Sequence, residues 1–134
     1  MSCKSALYAA MQTPTAVAVD GVIPLGSLIR RYGCDVALNG NAVNITGAGY
    51  YDVDASVTVT PAAAGTVTIT LYKDGVAVPG ATASATAAAA NDALDLNITA
   101  LVRQVCCAAG SALTLVLTGA AASVENVALR VQRI

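Results

Sequence analysis

The sequence predicts an all-β protein, an antiparallel β-sandwich or jelly roll with eight to ten short strands. Three observations carry that expectation. Residues 51–60 alternate apolar and polar side chains without a break, the two-residue period of a strand with one buried face. Glycine, proline and asparagine turn signals separate several more runs of the same type. No segment combines helical spacing with recognisable helix caps.

The alternation is clearest in I-T-G-A-G-Y-Y-D-V-D-A-S-V-T-V-T-P at 45–61, which is read as the central strand. Tyr51, Val53, Ala55, Val57 and Val59 fall on one side, and Asp52, Asp54, Ser56, Thr58 and Thr60 on the other. Pro61 cannot donate to a ladder and marks the exit. Ahead of this stretch, 6–11 is a first short strand that Pro14 interrupts, and 15–20 alternates briefly before Gly21. Residues 22–25 lead into Gly26-Ser-Leu-Ile-Arg-Arg-Tyr32-Gly33, and 35–45 reads as a hairpin turning at Asn39-Gly40.

After the central strand, 66–72 alternates through Val67, Ile69 and Leu71, and Lys73-Asp-Gly75 supplies a second hairpin turn. The return starts at Val76 and continues through the Ala/Thr/Ser-rich 81–90 as a shallow edge strand. Residues 92–105 alternate through Leu94, Leu96 and Ile98, which favours a strand over a helix near 100–105. A penultimate strand covers 112–118. The last covers 124–134, with Val127, Leu129 and Val131 on one face and Asn126, Ala128, Arg130 and Gln132 on the other.

At 134 residues the chain fits one domain, 1–134, able to bury roughly two thirds of its unfolded surface. Hydrophobic residues make up 56% of it, yet Phe and Trp are absent and Ala and Val dominate. Charged residues are 11%, too few to cover a small monomer with polar groups, so self-association is the expected remedy. Lys and Arg are scattered through a chain of net charge −1, which offers no footprint for nucleic acid. No apolar run is long enough to span a bilayer, and the N-terminal apolar run is too short for a secretory signal.

Catalysis lacks its usual groups. With no His, Ser-His-Asp and Cys-His arrangements are excluded, and no Gly-rich loop opens a helix to cradle phosphate. Asp52 and Asp54 lie roughly 7 Å apart along one strand face, a spacing two-carboxylate chemistry could use. Two paired or solvated carboxylates are the simpler reading, so neither an enzyme nor a metal or cofactor site is expected. Cys3, Cys34, Cys106 and Cys107 form no CxxC pair and read as free thiols packed as small hydrophobes. If both bridges formed without joining the neighbours, Cys3 and Cys34 would each take one of Cys106 and Cys107. Arg30-Arg31-Tyr32 is the one local basic and aromatic cluster, either a partner contact or a solvated turn.

The order of motifs carries a further implication. Gly49-Tyr50-Tyr51-Asp52-Val53 opens the central strand, T-I-T-L-Y-K-D-G-V-A-V-P-G-A follows at 68–81, then A-L-T-L-V-L at 112–117 and V-A-L-R-V-Q-R-I at 127–134. Together they resemble the C1q/TNF-like trimeric jelly roll, in the compact form found in phage virion proteins and at the tips of bacterial spore-surface filaments. The resemblance covers 35–134; the family's usual core Phe residues and collagen-like stalk are missing.

That resemblance implies a homotrimer with the central strand beside the C-terminal strand. Tyr51, Val53, Val57, Val127, Leu129 and Val131 would then face the core, and Asp52, Asp54, Arg130 and Gln132 the neighbouring subunits near the threefold axis, where calcium on the two Asp is an alternative. The function it implies is that of a virion structural protein: a capsid decoration or a head- or tail-fibre part, released by lysis. Its partners would be itself, other virion proteins such as the major capsid protein, and a host glycan. Residues 1–27 would serve as an N-terminal docking segment. The alternatives are a receptor- or glycan-binding tip using Tyr8, Tyr32, Tyr50 or Tyr72, and a spore or cell-surface filament protein.

Overall fold

The computed structural model describes residues 5–105 and 110–134. Eleven strands run through them: β1 (Ala6–Met11), β2 (Thr15–Val17), β3 (Ser27–Tyr32), β4 (Val36–Asn39), β5 (Ala42–Ile45), β6 (Gly49–Pro61), β7 (Gly65–Lys73), β8 (Val76–Ala87), β9 (Leu94–Gln104), β10 (Ser111–Thr118) and β11 (Ala122–Arg133). No helix occurs among the described residues. Two antiparallel sheets result. The first has the order β3-β1-β11-β6-β9 with β2 also on β11; the second has the order β4-β5-β10-β7-β8. This is an antiparallel β-sandwich of two sheets with jelly-roll connections.

Eleven strands exceed the expected eight to ten because β1 and β2 are two pieces of one track. β1 pairs with residues 127–132 of β11, and β2 pairs with 122–124 further along the same strand. Pro14 between them has no N–H to give a ladder, so the track breaks there. Residues 6–17 are therefore strands of the sandwich, with β1 held between β3 and β11. Residues 20–23 extend the second sheet, where Asp20 N–H donates to Leu117 O at 2.7 Å and Ile23 N–H to Leu115 O at 2.8 Å.

β6 is the longest strand, paired along its length with β11 on one side and β9 on the other. Its alternation places Tyr51, Val53, Ala55, Val57 and Val59 in the core. Val127, Leu129 and Val131 of β11 lie in the same layer, opposite Val67, Ile69, Leu71, Leu113, Leu115 and Leu117 of the second sheet. Branched aliphatic side chains thus fill a space about 10 Å thick without the large rings a deeper core would take.

The first hairpin turns one residue later than the sequence suggested. Asn39 pairs with Ala42, which makes Gly40-Asn41 the two-residue turn, with Gly40 at φ 62°. The physical reason is pairing: this register sets Leu38 against Val43 and Val36 against Ile45. A turn at Asn39-Gly40 would oppose Leu38 to a polar Asn41. The second hairpin turns at Asp74-Gly75, both at positive φ (52° and 81°), the geometry of a type I′ turn. Asp74 also accepts from Ala112 N–H at 2.9 Å; this bond first, and Ser111 second, hold its carboxyl below the ordinary value.

β8 is an edge strand, so Pro79 costs no ladder bond. Its hydroxyls close pairwise onto β7: Thr66 with Thr86 at 3.0 Å, Thr68 with Ser84 at 2.8 Å, and Thr70 with Thr82 at 3.1 Å. Cys34 is disulfide-bonded. That corrects the free-thiol reading at this position: Cys34 adjoins Asp35, whose backbone is tied to Ser5 and Thr46 and so held in place for a bridge. Cys3, Cys106 and Cys107 lie outside the described residues.

Candidate functional site on the outer face of the first sheet

Directly opposed residues of neighbouring strands share a face, so the register fixes what lies beside what. One row across the first sheet reads Arg30, Tyr8, Arg130, Asp54, Thr99; the next reads Tyr32, Ala6, Gln132, Asp52, Leu101. Asp52, Asp54, Arg130 and Gln132 therefore form one cluster, half-exposed, on the side away from the core. Arg130 Nη2 pairs with Asp54 Oδ2 and lies 3.7 Å from Asp52 Oδ2. Thr99 Oγ1 donates to Asp54 Oδ1 at 2.7 Å, so both oxygens of that carboxylate are engaged. Two carboxylates share one guanidinium, and the cluster keeps one negative charge.

Arg30, Arg31 and Tyr32 are divided by the pleat. Arg30 and Tyr32 join the outer face through Tyr8 and Ala6. Arg31 stands opposite buried Leu7 and reaches across to the second sheet, where its Nε donates to Val36 O at 2.6 Å. It bridges the two layers at their edge.

Beyond the charged row the next one is built of short side chains: Ala10, Ala128, Ser56, Asn97. The result is an open trough of about 480 Å³, floored by Ala128 and Ser56 and bordered by Tyr8, Arg130 and Asp54. On the flank of the sandwich, where β8 begins and β9 forms the sheet edge, apolar side chains project instead. Val76 is 70% exposed and Leu101 58%. Arg103 stands beside them with no carboxylate in ion-pair reach among the described residues. Lys73 Nζ donates to Arg103 O at 2.9 Å, fixing the β7–β8 hairpin against β9.

A second polar cluster, unnoticed in the sequence, lies at one end of the sandwich. Arg133 Nη1 pairs with Asp35 Oδ2, and both side chains are largely shielded from solvent, 16% and 11% exposed. Arg133 Nη2 also donates to Ala48 O, so one guanidinium clasps the loop before β6 to the β3–β4 connection. Gly47 makes room for this: a Cβ there would collide with the Asp35 carboxylate. Ninety-eight residues separate Arg133 from Asp35, which is why no local motif announced the pair. Gln104, also in this end of the first sheet, is buried with both polar side-chain atoms unpartnered.

Tyr51 closes the same end. Its hydroxyl donates to Gly47 O at 2.6 Å, and burial first, then the nearby Asp35 charge, push its phenol above the ordinary value. The folded state thus favours the neutral phenol. This contribution is fully present below 10.0, the ordinary value, and is lost as pH rises past it, where the unfolded chain ionises first. Tyr51→Phe is expected to flatten that alkaline decline and to cost about 1 kcal/mol at neutral pH for the missing hydrogen bond. Urea titrations on either side of pH 10.0 check both effects.

The fold is shared with solved structures of low sequence similarity. Murine APRIL at pH 5.0 superposes with a TM-score of 0.72 at 12% identity, over 96% of this chain and 98% of that one. The globular domain of the zebrafish complement 1qA protein gives 0.70 at 8% identity, over 96% and 95%. The PRD1 vertex protein P5 gives 0.68 at 12% identity, over 100% and 99%. No protein-family model and no curated protein matches the sequence.

Proposed function

We propose that this chain is a virion structural protein that works as a homotrimer, decorating a capsid or forming part of a head or tail fibre. The observation that carries the reading is the mismatch between two surfaces of one subunit. The outer face of the first sheet has a trough with one surplus negative charge, and the β8–β9 flank has projecting Val76 and Leu101 beside Arg103, which has no carboxylate in ion-pair reach among the described residues. Two different, complementary patches make a head-to-tail contact, the kind that builds a ring when its rotation closes, as a trimer's does; a twofold dimer would need one self-complementary patch.

In the assembly the flank of each subunit sits in the trough of the next. Leu101 and Val76 lie over Ala128 and Ser56, Arg103 approaches Asp52, and Asp54, Arg130 and Gln132 lie near the axis. The burial of Ala, Val and Leu surface holds the trimer, and the charges fix its register. The virion setting is supported by the fold shared with the PRD1 vertex protein P5. Other virion proteins, such as the major capsid protein, and a host surface glycan are the external partners, and the reading involves no catalytic step.

Arg130→Leu separates the interface from a solvated face. In a lone subunit the Arg130–Asp54 pair is half-exposed and worth at most about 1 kcal/mol. In the trimer its loss strands two carboxylates in a closed interface, at a cost of about 2–5 kcal/mol. The expected result is weakened trimers of normally folded subunits in sedimentation velocity. Normal trimers of normal stability would remove Arg130 from the interface. Antibody labelling of intact particles under the electron microscope tests the location: label at regular capsid or fibre positions supports the assignment, and unlabelled particles overturn it.

A further inference from the structure

We propose that the free edge of β3 is a docking strand for an extended, acidic segment of a different protein. The proposal rests on the trimer reading, which uses the β8–β9 flank and leaves β3 facing outward. β3 ends its sheet and pairs only with β1, so one row of its N–H and C=O groups has no strand partner among the described residues. Such an edge templates another strand unless it is blocked.

This edge carries a bulge at Ile29 and two arginines, features that protect edges, yet it also exposes large apolar side chains. All six β3 residues are exposed, with Leu28 at 44%, Ile29 at 54% and Tyr32 at 57%. Protection alone would not place three such side chains in water. The bulge turns Ile29 into an open cleft of about 450 Å³ that it shares with Tyr8, Met11 and Ser27, a seat for one apolar side chain of a guest.

Charge selects the guest. Neither Arg30 nor Arg31 has a carboxylate in ion-pair reach among the described residues, and the acids of the region are spent elsewhere: Asp35 on Arg133, Asp54 and Asp52 on Arg130. Arg30, on the outer face beside Tyr8, suits a peptide whose carboxylates fall on that face and alternate with branched apolar residues; Arg31 lies on the other side of the pleat, so the two arginines do not act together. They are too few for the multiple phosphate contacts of a nucleic acid. A second copy fits poorly, because this chain's own acidic strands are committed. β6 is paired on both sides, and Asp95 of β9 already accepts from Thr58 at 2.9 Å.

The probe is a fluorescein-labelled peptide of alternating Glu and Val, titrated against the full chain by fluorescence anisotropy, with the assembly mass measured on the same samples. The Glu–Val peptide is expected to bind. A Lys–Val peptide, and a Glu–Val peptide with alternate backbone amides N-methylated, are each expected to bind at least about tenfold more weakly. Arg30→Glu is expected to weaken Glu–Val binding by about tenfold without changing the mass. Docking is overturned if intact trimers bind no Glu–Val peptide, if the N-methylated peptide binds equally well, or if Arg30→Glu has no effect. Higher assemblies dissolved by Arg30→Glu would identify a second copy as the occupant and overturn it too. A monomer that still shows the expected peptide preferences would support docking at β3 and remove only the trimer.

Discussion

Leu101→Asp is expected to convert the assembly into folded single subunits. Leu101 is 58% exposed in the isolated chain and stands on the β9 edge, where no core neighbour depends on it. Within the subunit the new carboxylate stands opposite Asp52 of β6, a like-charge pair that costs about 0.2–1 kcal/mol and leaves the sandwich folded. In the proposed contact the same side chain is buried over Ala128 and Ser56. Replacing it there removes about 2 kcal/mol of apolar burial and adds a carboxylate facing the Asp52–Asp54 pair. Repeated at three identical contacts, that loss is enough to dissociate the ring at micromolar concentration. Circular dichroism should keep its strand signature while light scattering reports one chain. Ala88→Asp, on an exposed loop away from the trough and the flank, serves as the control and should leave the assembly intact.

Arg133→Met is expected to be the most destabilising single exchange among the charged residues. It keeps most of the aliphatic stem and removes the guanidinium, leaving the Asp35 carboxylate buried without its counter-charge. Breaking a buried pair from one side costs about 3–5 kcal/mol. For a domain of this size that lowers Tm by roughly 10–20 °C. The double variant Arg133→Met/Asp35→Asn should recover part of the loss, because the stranded charge is gone. Equal melting of the single and double variants would mean that the clasp acts by packing and not by charge compensation. Gly47→Ala should act in the same direction by pushing the Asp35 carboxylate aside.

The alternating strands were legible because their period belongs to the backbone. In β6 and β7 every second residue meets the core whatever the rest of the chain does, and in β11 the same holds on either side of a bulge between Val124 and Asn126. The Asp54–Arg130 juxtaposition was reached through the family resemblance, since no local rule says that residue 54 pairs with residue 130. What stayed hidden was set by distance or by competition. Arg133 and Asp35 meet only because β11 and the β3–β4 connection end at the same pole of the sandwich. The Asn39-Gly40 signal lost to the pairing of Leu38 with Val43, a tertiary preference that outweighs turn chemistry. Arg31 looked like a companion of Arg30, and the pleat sends the two to opposite sides. The trough is defined by the smallness of Ala128 and Ser56, and short side chains leave no pattern until their strands are laid side by side.

Both the interface and the outward-facing edge strand depend on how many copies of this chain associate. Sedimentation equilibrium of the purified protein, run over a range of concentrations, measures that number directly. The predicted result is a single species with the mass of three 13.3 kDa chains, persisting at micromolar concentration and split by Leu101→Asp. A stable, soluble species of one chain, with Val76 and Leu101 left in water, would contradict it.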